Sequence, residues 1–106
     1  MAKFMSLASY TTDGLKGLLK EGGSGRRKAV ESALAAMGGH LEAFYFAFGD
    51  YDVVAITEVP DNVTAAALAI GITATGAANV KTVVLLTPAE VDEATKKTIS
   101  YRGPGQ

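Results

Sequence analysis

Four residues near the middle of the chain have the chemistry to hold a small molecule. Tyr51 and Asp52 set a phenol donor beside a carboxylate acceptor, a pair that orients a polar ligand if their turn opens on a cleft. Asp50 adds a second carboxylate and Tyr45 a second phenol. Each also has a local reason to be there, because aspartate in a tight turn hydrogen-bonds its own backbone and tyrosine suits a sheet edge. His40, the only histidine, is a general base or metal ligand by type. No cysteine or second histidine stands at a ligand spacing, and no carboxylate is adjacent, so a metal would need Asp50 and Asp52 brought to it by the fold. Otherwise His40 is a solvent-facing residue at the start of a strand.

The other unusual group is Arg26-Arg27-Lys28, which the spacing puts at a helix start. Cations there oppose the helix dipole, so Arg27 and its neighbours either meet a bound anion or a partner's carboxylate, or are simply solvated on an exposed turn. No Ser/His/Asp set can be assembled around the single histidine. Gly22-Gly23-Ser24-Gly25 lacks the Gly-Lys-Ser/Thr ending of a phosphate loop.

The elements that must position these groups are legible in the pattern. Leu41–Phe48 and Val53–Val59 are rich in aromatic and β-branched residues, and Gly49-Asp50 between them supplies the reversal of an antiparallel hairpin. Upstream, Lys3–Tyr10 reads as a strand, ended by Thr11-Thr12-Asp13-Gly14 with its helix-capping residues. Leu15, Leu18 and Leu19 fit a short helical piece, Glu21–Gly25 reads as a flexible loop, and a longer helix follows from about Gly25 to Met37. Downstream, Asp61 caps a helix through Val63, Ala66, Ala67 and Ile70, and Asn79–Leu86 is the last strand. Thr87-Pro88-Ala89-Glu90 is a capping box that starts a short C-terminal helix to about Ile99, before a tail from Ser100 to Gln106. The order is strand, helix, strand, strand, helix, strand: an α+β, ferredoxin-like arrangement, with one domain over residues 1–99.

Composition narrows the function classes. A chain of 106 residues supports one core, and a net charge of -1 gives no basic field for nucleic acid or anionic lipid. The third strand also lacks the basic and aromatic run on which bases stack. No cysteine is present, which fits a cytoplasmic setting, and the start carries no long apolar segment of the signal-peptide kind. The uncharged run Val63–Ala78 is short for a bilayer span and reads as a buried helix. No cofactor is indicated.

Both faces of the sheet are apolar. Leu41, Ala43, Tyr45 and Ala47 alternate with Phe44, Phe46 and Phe48, and Val80, Val84 and Leu86 with Val83 and Leu85. A sheet with one wet face should alternate with polar residues, so the helix-free face is expected to be covered by another copy of the chain, in a homodimer or larger assembly.

Gly49-Asp50-Tyr51-Asp52 followed by Val53-Val54-Ala55-Ile56, then Pro60-Asp61 and an Ala-rich helix, resembles the GYD domain family, whose naming residues fall here on Gly49, Tyr51 and Asp52. Tyr10–Lys16, Arg26–Ala29 and Gly38-Gly39 add to the likeness, which runs from Phe4 to about Thr87. It implies a dimeric α/β-barrel in which two sheets pack face to face, and no established activity. The hairpin alone also resembles the amino-acid-binding domains of leucine-responsive transcription regulators. With no helix-turn-helix domain here, that likeness would make the chain a stand-alone sensor. Dimeric barrels include small monooxygenases and isomerases, which gives an enzyme alternative with Tyr51, Asp52, His40 or Tyr45 as acid/base groups. The leading expectation is a homo-oligomeric module that binds a small polar molecule between sheet and helices. A structural oligomer without ligand is the third alternative.

Overall fold

Chain reversal at Gly49, whose φ is 144°, lets the two central apolar runs pair, and the rest of the sheet grows from that hairpin. The computed structural model describes residues 1–106. In order the elements are β1 (Ala2–Tyr10), α1 (Thr12–Ala36), β2 (His40–Phe46), β3 (Val53–Val59), α2 (Asn62–Ala74), β4 (Ala78–Leu85) and α3 (Pro88–Thr95). The four strands are antiparallel in the order β2-β3-β1-β4, the ferredoxin-like topology that the element order implies. No helix is long and apolar enough to cross a membrane.

The expected break between a short and a longer helical segment is present but narrow: α1 kinks at Gly22 (φ 77°, ψ 168°), and the rest of Glu21–Gly25 is helical rather than a loop. Glycine in a helix costs about 1 kcal/mol relative to alanine, which is why the run reads as a loop. Two contacts hold the segment in place. Arg26 reaches back across the break to both carboxylate oxygens of Glu21, at 3.2 and 3.4 Å, and Gly23 lies against the ring of Phe46, where a Cβ would come within 3.0 Å.

The phase of β2 also differs from strict alternation. Leu41 pairs with Thr57 but Ala43 with Ile56, so Glu42 is the extra residue of a β-bulge. Leu41 therefore shares the helix side of the sheet with Phe44 and Phe46, while Ala43 and Tyr45 take the other side. The strand ends at Phe46 rather than Phe48, and the Phe48 side chain is fully exposed.

Opposite residues in the ladder share a face, so the helix side carries Phe4, Ser6, Ala8 and Tyr10 of β1 against Val84, Thr82, Val80 and Ala78 of β4. Val53, Ala55, Thr57 and Val59 of β3 lie on the same side. Two clusters form there, Phe4 with Leu34, Val59 and Ala65, and Phe44 with Val53 and Ala55. Only ten of the 106 residues are buried, so the layer between helices and sheet is incompletely filled. The other face presents Met5, Leu7, Val54, Ile56 and Val83, with no helix over it. At its edge Lys3 bridges Glu42 at 2.8 Å and Glu58 at 3.5 Å, and His40 Nε2 lies 3.3 Å from Glu58.

Thr87 and Glu90 form the expected capping box, each side chain bonded to the other's backbone N–H. The helix stops at Thr95, short of the expected Ile99, and it and the following residues are exposed along almost their whole length. This projecting segment contributes to a radius of gyration of 16.9 Å, against about 13 Å for a compact chain of this length.

Candidate functional site

The two long helices leave a cleft of about 420 Å³ over the middle of the sheet, walled by α1 and α2 and floored largely by β1, β3 and β4. Small residues on both sides create it: Ala8 and Ala55 on the floor, Gly17 and Ala29 on α1, Ala65 and Ala69 on α2. Interiors close-pack, so a layer lined by such residues stays open unless its elements can move together. A junction at one end fixes where they sit. The Thr11 backbone N–H donates to the Ala77 carbonyl at 3.0 Å, and the Thr11 hydroxyl donates to that of Gly76 at 2.7 Å while accepting from the Gly14 N–H. Gly14 is buried against Ala77, and any Cβ there would overlap the Ala77 carbonyl oxygen. The start of α1 is thus tied to the segment that follows α2.

Four hydroxyl residues line an otherwise largely apolar floor. Ser6 and Thr82 are directly opposite each other across β1 and β4, and Thr57 pairs with Phe4, one diagonal step from Ser6. Tyr10 lies further along β1 on the same face. None of the four hydroxyls hydrogen-bonds to another group of the chain, and none is sealed from the open space of the cleft. Thr57 is the most telling, since the residue is only 8% exposed. Burial raises the pKa of the Tyr10 phenol; the Arg26 guanidinium opposes the shift, and the Asp52 and Glu21 carboxylates reinforce it. The charged residues of the lining are Asp13, Glu21 and Arg26.

Of the residues singled out by the sequence, Arg26 belongs to this lining, whereas His40, Tyr45, Asp50, Tyr51, Asp52 and Arg27 lie outside it. Asp52 ties the turn to β1: its N–H donates to the Ala8 carbonyl at 2.8 Å, and its Oδ2 accepts from the Tyr10 N–H at 2.8 Å. Asp50 is exposed, and its carbonyl oxygen accepts from the Ser9 hydroxyl at 2.9 Å. Tyr51 is half-buried in the turn, and Tyr45 is exposed on the helix-free face opposite Val54. These groups share no pocket. His40 sits at the other end of β2 from the turn, so it does not meet Asp50 and Asp52 around a metal, and the carboxylate beside it is Glu58. Arg27 pairs with Glu31 at 3.0 Å, one helical turn on, and Arg26 with Glu21, so the cationic run meets carboxylates of its own chain.

What sequence reasoning missed was the floor. A signal was present: Thr57 interrupts the inward stripe Val53, Ala55, Val59, and Ser6 stands between Phe4 and Ala8, so both are polar residues at positions that alternation directs inward.

No curated protein and no solved structure matches the chain. The GYD domain family model matches residues 4–95, which takes in all of the elements but the first two residues of β1, and the chain therefore belongs to the GYD domain family.

Proposed function

We propose that the chain is a small-molecule-binding module that works as a homodimer or larger homo-oligomer. The observation that carries the binding reading is the cleft of about 420 Å³, which falls in the size range of small-molecule sites and is built by small side chains on both of its sides. Polar groups at a few points of an apolar lining are the usual chemistry of such sites. The assembly reading is supported by the helix-free face, where Met5, Leu7, Val54, Ile56 and Val83 form a contiguous apolar surface. A second copy would bury that surface without a further partner, because a two-fold axis sets the same patch of each chain against the other.

Native mass spectrometry of freshly purified protein tests both parts at once. The expected spectrum is a dimer or higher multiple with a reproducible added mass. A bare monomer overturns the assembly reading. A bare oligomer that gains no mass on incubation with a panel of small apolar compounds overturns the binding reading and leaves a structural oligomer.

A further inference from the structure

Building on the reading of the cleft as a ligand site, we propose that its ligand is an uncharged, largely apolar molecule with hydrogen-bonding oxygens at two places. One is met by the hydroxyls of Ser6, Thr57 and Thr82, the other by the phenol of Tyr10. The charge of the lining supports neutrality. Its only cation, Arg26, is held by both oxygens of Glu21, so a ligand carboxylate or phosphate would have to break that pair and face Asp13 as well. On the floor the polar groups are hydroxyls, and a charge carried there would lose its hydration without a counter-charge.

The hydroxyls supply the recognition. Thr57 is only 8% exposed as a residue, and its hydroxyl, bonded to no group of the chain, is not sealed off, so it is left for water or a ligand in the cleft to satisfy. Ser6 on the adjoining β1, half-buried, and Thr82 on β4 beyond it, at the exposed edge of the sheet, also have hydroxyls bonded to no group of the chain. Thr57 and Ser6, diagonal neighbours on paired strands, can donate to, or accept from, one ligand oxygen, and Thr82 can meet the same end of the ligand from across β1. Four residues along β1, about 13 Å between Cα positions, Tyr10 offers a phenol, protonated near neutral pH like any tyrosine and with its pKa raised further by burial. Between them Ala8, paired with Val53 and Val80, leaves an apolar stretch without a donor or acceptor side chain. The pattern fits a carbon skeleton of two or three rings with hydroxyl or carbonyl oxygens set apart on it.

The test uses three probes on one skeleton, naphthalene, 2-naphthol and 2-naphthoate, titrated near neutral pH into isotopically labelled protein and followed by backbone amide NMR. The expected result is that 2-naphthol shifts the amides of β1, β3 and α2 around the cleft and binds more tightly than either of the others. Thr57→Val keeps the side-chain shape and removes a hydroxyl that has no partner in the protein, and Ser6→Ala is the independent second variant. Each is expected to weaken 2-naphthol by about five-fold and to leave naphthalene unchanged. Tighter binding of 2-naphthoate, or 2-naphthol affinity untouched by both variants, overturns the neutral-ligand proposal while the cleft remains a binding site. If none of the probes shifts the cleft amides, the binding reading and this proposal both fall.

Discussion

The Asp52 carboxylate accepts the backbone N–H of Tyr10 at 2.8 Å, so the last residue of the family's naming motif fixes the end of the strand whose phenol faces the cleft. The bond is part-buried and joins residues 42 apart in sequence. Removing the acceptor leaves the Tyr10 N–H unpaired. Asp52→Ala is therefore expected to lose about 1–3 kcal/mol of stability, measured by urea denaturation, and to weaken any ligand that contacts the Tyr10 phenol. Asp52→Asn retains an acceptor oxygen and should lose less. Equal stability of Asp52→Ala and wild type would show that the contact is not maintained in solution.

Ala69 of α2 faces the cleft, and its small side chain is one reason that the layer is unfilled. Ala69→Leu adds apolar surface to a space with room for it, so the variant is expected to gain about 1–2 kcal/mol in stability while losing affinity for the neutral probe. The two readouts move in opposite directions. A loss of stability together with unchanged binding would mean that the helix lies closer to the sheet in solution.

The sequence made the fold legible because each element carries its own punctuation: Asp61 and Thr87 cap helices that begin where they predict, and Gly49 turns the hairpin. It drew the break at Glu21–Gly25 too wide because local propensity disfavours a helix over the whole run, whereas the chain leaves helical geometry at Gly22 alone, and the Gly23 to Phe46 contact depends on the folded chain. The Glu42 bulge was hidden for a related reason, since it shows only in the pairing of β2 with β3. The candidate site was less legible than the fold. Tyr51 and Asp52 drew attention by chemical type, but a cleft is made by absent volume, and Ala8, Ala55 and Ala69 announce it only once α1 and α2 are set over the sheet.

Asp61 accepts from both the backbone N–H and the hydroxyl of Thr64, at 2.8 and 2.7 Å, and these bonds hold its pKa below the ordinary 3.8. A carboxylate with a lowered pKa in the folded state stabilises above its unfolded pKa, and that contribution disappears as pH falls through the folded value. The same sign holds for Glu90 in the capping box of α3. Thermal midpoints followed from about pH 6 down to about pH 3 should therefore fall on the acid side. Asp61→Ser keeps a capping oxygen but has no charge to titrate, and should flatten that limb. An unchanged limb in the variant would assign the acid sensitivity to other carboxylates.

Ile56 lies at the centre of the helix-free face, paired with Met5 on one side and Ala43 on the other. If that face is covered by a second copy, Ile56→Glu places a charge where the two sheets meet, close to its own image across a two-fold axis, and neither charge has a counter-ion. The same change on a free face costs little, because the side chain would point into water. Sedimentation at matched concentrations separates these cases. The expected outcome is an oligomeric wild type and a variant shifted to monomer by at least ten-fold in dissociation constant, with amide spectra showing that the sheet is retained. An oligomer of unchanged affinity in the variant would move the interface elsewhere, and the exposed side of α2, with Val63 and Ile70 outward, is the next apolar surface to substitute.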